Sequence, residues 1–78
     1  MLRPLSELQP GNRGIVRQLS GGQVTANRLR EMGMLPGTEI TFVRRAPLGD
    51  PLEIRLRGYS LSLRAVDATE ILVEVSNV

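Results

Sequence analysis

From Arg28 to Gly37 the chain reads Arg-Leu-Arg-Glu-Met-Gly-Met-Leu-Pro-Gly, an order that leaves the backbone few paths. Ala26, Leu29 and Met32 recur at three-residue spacing and so share one face of a helix. Gly33 can enter the left-handed region that closes a helix at little cost. Leu35-Pro36-Gly37-Thr38 then reads as a type II turn, with proline setting φ at its second position and glycine accepting a positive φ at its third. A strand follows at once, with Ile40 and Phe42 on one face and Thr41 and Val43 on the other. One main helix is therefore predicted between Gly22 and Met32, ending abruptly and handing over to sheet.

The rest of the chain reads mainly as sheet and turns. Pro4 to Gly11 looks like a single helical turn and a Pro-Gly turn. Arg13 to Leu19 is a strand carrying the β-branched pair Ile15 and Val16. Ser20 with Gln23 fits a capping box at the start of the helix. Leu52, Ile54 and Leu56 alternate with Glu53, Arg55 and Arg57, and after Gly58 the alternation resumes with Leu61 and Leu63. A two-residue Gly58-Tyr59 turn with glycine first would set Leu56 opposite Leu61, Ile54 opposite Leu63 and Glu53 opposite Arg64. A slip of one residue would set apolar against charged throughout. Asp67 to Glu70 reads as a turn or short 3₁₀ stretch, and Ile71, Val73 and Val75 mark a last strand. The expected core is Ile15, Leu29, Ile40, Phe42, Ile54, Leu56, Leu61, Leu63, Ile71 and Val73.

Composition removes whole classes of function. At 78 residues, 41% of them hydrophobic, the chain is expected to form one domain, 1–78, with a core of its own. It has no cysteine and no histidine, so disulfides, thiolates, the commonest metal ligand and the commonest general base are all missing. No apolar run approaches the roughly 20 residues of a membrane span, and Met1 to Leu5 lacks the core of a signal peptide, which predicts a cytoplasmic protein. The pI of 10.4 overstates the charge, which is only +2, because every cation is an arginine. Those arginines are interleaved with Glu31, Glu39, Glu53 and Glu74 rather than clustered among aromatics, so no nucleic-acid partner is expected.

Five short strands and one helix after the first of them, without long linkers, suggest a small closed or nearly closed barrel. By strand count an SH3-like barrel fits best; in an OB-fold the helix normally comes later in the strand order. The ordered pieces Leu5-Ser6-Glu7-Leu8-x-Pro10-Gly11, Arg28-Leu29-x-x-Met32-Gly33-x-x-Pro36-Gly37, Pro47-Leu48-Gly49-Asp50-Pro51-Leu52, Gly58-Tyr59, Leu61-x-Leu63-Arg64 and Ile71-x-Val73 together resemble the FeoA family, from Leu5 to Val75. Met32 and Met34 stand where that family commonly has leucine. The resemblance implies an SH3-like barrel, a cytosolic accessory role beside the bacterial ferrous-iron transporter FeoB, and a family association with transition-metal ions. The same barrel forms the C-terminal module of iron-dependent repressors, so a stand-alone relative of that module is an alternative. A small nucleic-acid-binding β-barrel, using a face with Arg44, Arg45, Arg55 and Arg57, is another.

Sharper motifs dissolve on inspection. Ser20-Gly21-Gly22-Gln23 lacks the Gly-Lys-Ser/Thr continuation of a phosphate loop. Asp50, Glu53, Asp67 and Glu70 share no ligand spacing, and no metal site or cofactor is predicted. With no nucleophile–base pair either, the chain is read as a binding module rather than an enzyme. The predicted partner surface combines Arg28, Met32, Met34, Leu35 and Pro36 at the helix end with the loop Pro47, Leu48, Gly49, Asp50 and Pro51. Leu48 stands out as a leucine at a loop tip, either exposed for docking or folded back onto the barrel. Core packing is the favoured reading for Met32 and Leu35 individually.

Overall fold

In a computed structural model, which describes residues 1–76, the chain forms one six-stranded antiparallel sheet bent around a single apolar core. The last two residues of the expected 1–78 domain lie outside the described residues. In chain order the strands are β1 (Leu2–Pro4), β2 (Arg13–Leu19), β3 (Glu39–Arg45), β4 (Leu52–Leu56), β5 (Tyr59–Leu63) and β6 (Ile71–Val75). Helix α1 (Gln23–Glu31) lies between β2 and β3, and a four-residue helix α2 (Ala65–Ala68) between β5 and β6. The order across the sheet is β1-β6-β2-β3-β4-β5.

The first strand is one that the sequence did not announce. Leu2–Pro4 pairs with Leu72–Glu74 of β6, and only then does a 3₁₀ turn, Leu5–Glu7, begin. Three residues without apolar alternation carry no strand signal; the pairing comes from β6, which offers a free edge. The main helix accordingly follows the second strand rather than the first. The Met1 ammonium lies on the Glu74 carboxylate of β6 and holds that carboxyl below the ordinary carboxylate range.

The helix stop is as predicted and can be followed atom by atom. Gly33 has φ +109°, its N–H donates to the Arg30 carbonyl at 3.0 Å, and the Met34 N–H donates to the Leu29 carbonyl at 3.0 Å. This is the Schellman pattern, completed by burial of both Leu29 and Met34. The Thr38 N–H then closes on the Leu35 carbonyl at 3.0 Å with Gly37 at φ +94°, the type II turn expected from Pro36-Gly37. The helix start differs. Gly22 is the N-cap and makes no side-chain cap bond, while Ser20 Oγ donates to the Glu70 carboxylate at 2.9 Å. With two glycines intervening, Ser20 belongs to the end of β2 and clasps the turn before β6 instead.

The core contains Leu29, Ile40, Phe42, Ile54, Leu56, Leu63, Ile71 and Val73 as expected, and adds Leu5, Leu8, Val16, Met34, Leu52 and Ala68. Leu61 is half-buried against it. Ile15 is not in it: Gly14 and Val16 take the inward positions of β2. Two adjacent β-branched residues give no parity of their own, and Gly14 faces inward because its neighbour on β6 leaves no room for a Cβ.

Two register findings correct the hairpin and the strand before it. The β4–β5 turn is Arg57-Gly58, both at positive φ, so Leu56 faces Tyr59, Ile54 faces Leu61 and Leu52 faces Leu63. The predicted register was off by two, which preserves every residue's face but removes Arg64 from Glu53. Glu53 instead accepts from Arg44 at 2.9 Å across β3. In β3 a bulge falls between Phe42 and Arg44. The extra residue reverses the alternation, so Arg45 comes to lie opposite the buried Leu52 rather than on a solvated face. Its guanidinium reaches the Ser6 and Leu8 carbonyls at 2.6 and 3.0 Å and lies 5.1 Å from the centre of the Phe42 ring.

Candidate partner-binding surface

The C-terminal end of helix α1 approaches β5 and α2, and a groove of about 500 Å³ opens between them. Arg28 and Met32, one helical turn apart, form one wall; Ser62, Leu63 and Arg64 of the β5 end form the other, and Val66 and Asp67 of α2 complete it. Met32, half-buried, and Val66, largely exposed, supply its apolar surface over the buried Leu63. Arg28 donates to Asp67 at 2.8 Å, tying α1 to α2. One turn further along α1, the Tyr59 hydroxyl donates to the Met32 carbonyl at 2.9 Å, tying α1 to β5.

The second exposed feature is the loop between β3 and β4. The Gly49 N–H donates to the Ala46 carbonyl at 2.8 Å and the Ala46 N–H to the Pro51 carbonyl at 3.0 Å, closing a tight turn with Pro47 and Leu48 at its centre. Leu48 is 96% exposed, so it does not fold back onto the barrel. Asp50 is spoken for within the fold: its carboxylate accepts from the Ala65 N–H at 2.9 Å and caps the first turn of α2.

The residues predicted as one surface thus divide. Arg28 and Met32 line the groove. Leu35 and Pro36 are exposed on the turn before β3, whereas Pro47, Leu48 and Pro51 are exposed beyond its far end. The seven residues of β3 place those turns roughly 20 Å apart. Met34 is wholly buried and unavailable to any partner, while Leu35, favoured for the core, is 38% exposed. The Schellman stop explains both, because it turns Met34 back onto Leu29 and the following residue outward. Sequence reasoning missed Ser62, Leu63, Arg64, Val66 and Asp67 as groove residues. Their one visible signal was Val66, a lone valine just before the Asp67–Glu70 stretch read as a turn. Among the described residues no three or more aspartates and glutamates group as a metal site would require.

Comparison with known proteins places this geometry. The FeoA domain family model matches residues 3–75.

The chain belongs to the FeoA family.

A relative from Porphyromonas gingivalis, an Fe(2+) transport protein A/Fe(2+) transporter FeoB fusion protein, is 42% identical over 71 residues. That match takes in 91% of this chain but only 8% of the relative. Among solved structures, a FeoA-like protein of Clostridium acetobutylicum is 39% identical with a TM-score of 0.91, covering 99% of this chain and 90% of that one. The zinc complex of Stenotrophomonas maltophilia FeoA, described as a prokaryotic SH3 domain protein, is 29% identical with a TM-score of 0.77, covering 95% and 89%. The SH3-like barrel expected from the sequence is therefore the fold of this FeoA-family chain. A manganese-dependent transcriptional repressor shares that fold at 17% identity, with a TM-score of 0.89 over 37% of its length.

Proposed function

We propose that this FeoA-family chain is a non-enzymatic accessory domain of ferrous-iron uptake that acts in the cytoplasm by docking on the cytosolic part of a FeoB-type transporter. The observation that carries this reading is the Porphyromonas gingivalis relative, in which a matching domain and FeoB are one polypeptide. Covalent linkage keeps two modules at a high effective concentration, an arrangement useful for modules that meet repeatedly. The surface suits such a role: a firm turn presenting Leu48, and a groove with apolar surface, both on a small rigid barrel. Iron is the cargo of the partner in this reading. The chain's own residues bind a protein, without histidine or cysteine to hold a metal or run a reaction.

A nucleic-acid-binding role has weaker support. Of the four arginines on the suggested face, Arg44 is paired with Glu53 and Arg45 is turned onto backbone carbonyls, so half of that face is committed within the fold.

The test is binding of the cytosolic part of a FeoB-type transporter to the folded chain, with Leu48→Asp and Arg55→Ala as variants. A few apolar anchors generally dominate an interface while exposed charges contribute little, so Leu48→Asp should weaken binding and Arg55→Ala scarcely change it. Absence of binding by the unaltered chain would remove the docking role.

A further inference from the structure

Strand β5 is at the end of the sheet order and, among the described residues, pairs only with β4. Its turn has two residues, so Leu56/Tyr59, Ile54/Leu61 and Leu52/Leu63 are the hydrogen-bonded pairs of the ladder. The N–H and C=O groups of Ser60 and Ser62 consequently point away from β4. Among the described residues no other element hydrogen-bonds them. Both serines are exposed, and Ser62 borders the groove whose accessible apolar surface is Met32 and Val66. An open edge beside an apolar groove is the arrangement that accepts an added strand: the backbone supplies hydrogen bonds and the groove takes an alternate side chain.

Charge says what kind of strand. Asp67 offsets Arg28, but Arg64, just past the end of β5 and two residues on from Ser62, has no acidic partner among the described residues. A second copy of this chain is a poor occupant. Its own β5, Tyr59-Ser60-Leu61-Ser62-Leu63, carries no carboxylate to set against Arg64. We propose that the β5 edge binds an extended segment of the transporter's cytosolic part by strand addition, with an apolar side chain on Met32 and Val66 and a carboxylate on Arg64. This rests on the accessory reading above and specifies its contact.

The experiment has two arms, each using the folded chain and its Ser62→Pro, Ser62→Ala and Arg64→Glu variants. Ser62→Pro deletes a single outward N–H without touching the β4 ladder, and proline is tolerated at such an edge. Ser62→Ala keeps that N–H. Should Ser62→Pro fail to fold, as read by thermal unfolding, Arg64→Glu and Val66→Asp carry the test. The first arm titrates a blocked octapeptide of alternating valine and glutamate and follows backbone amide resonances. Binding that shifts the Ser60 and Ser62 amides and slows their exchange supports the proposal. So does weakening of about tenfold or more by Ser62→Pro and Arg64→Glu but not by Ser62→Ala. Peptide binding indifferent to Ser62→Pro and Arg64→Glu overturns it, as does no peptide binding at all. The second arm replaces the peptide with the cytosolic part of a FeoB-type transporter. Loss of that binding in Ser62→Pro supports the assignment. Undiminished binding in Ser62→Pro overturns the assignment while leaving the accessory reading standing. A peptide bound as expected with no transporter bound by any variant overturns the accessory reading instead.

Discussion

Tyr59 and Gly33 meet where β5 reaches the end of α1. The tyrosine hydroxyl donates to the Met32 carbonyl at 2.9 Å, and a Cβ on Gly33 would lie 2.6 Å from the Tyr59 hydroxyl oxygen. Gly33 thus answers two demands, the positive φ of the helix stop and the close approach of the phenol. The contact fixes the end of α1 against the sheet and so sets one wall of the groove.

Gly33→Ala should destabilise the protein by about 1–3 kcal/mol through the strained left-handed backbone and the lost phenol position. Tyr59→Phe alone should cost about 0.5–1.5 kcal/mol for the hydrogen bond. In the Gly33→Ala background it should cost less, because the hydroxyl is the atom in collision. Denaturant unfolding of the four proteins measures the coupling. Costs that add within about 0.3 kcal/mol would show that the two residues do not interfere.

Leu56 is 1% exposed and lies opposite Ile40 on one side and Tyr59 on the other. Leu56→Ala should lower stability by about 2–5 kcal/mol in equilibrium unfolding. A loss under 1 kcal/mol would mean that the face has been assigned backwards.

Arg45→Ala is expected to behave as a core-edge mutation rather than a surface one. It removes two hydrogen bonds to the Ser6 and Leu8 carbonyls and the contact over Phe42, a loss of about 1–3 kcal/mol. Thermal or chemical unfolding decides this; a change inside ±0.5 kcal/mol, typical of free surface residues, would contradict the bulge assignment.

Leu48→Asp should leave stability within about ±0.5 kcal/mol, since the side chain touches almost nothing in the fold. Any loss of transporter binding or iron uptake in this variant then reports on contact, not on unfolding. Circular dichroism melts run beside the binding assay separate the two.

Calorimetric titration with Fe²⁺ should reveal no tight stoichiometric site, given a chain without histidine or cysteine. Binding at micromolar affinity or better would require a ligand set that the described side chains do not form.

The helix stop, the Pro36-Gly37 turn, strands β2 and β6 and the inward faces of β3 and β4 were all legible in the chain, because each rests on contacts within a few residues or on strict alternation. A left-handed glycine, a proline-fixed φ and a period of two need no distant partner. The Leu48 loop could be recognised as a candidate, but not its exposure.

What escaped depended on partners far along the chain. β1 exists because β6 offers an edge, Ser20 turns to Glu70 instead of capping α1, and the bulge in β3 sends Arg45 to carbonyls nearly forty residues earlier. The groove is of the same kind: Met32 and Val66 line it together only because Tyr59 of β5 and Asp67 of α2 hold the end of α1. Local order therefore determined which segments are helix, turn and strand. Tertiary structure alone decided which exposed side chains share a surface, because that depends on register and on where the sheet bends, and neither is written in any short window of residues.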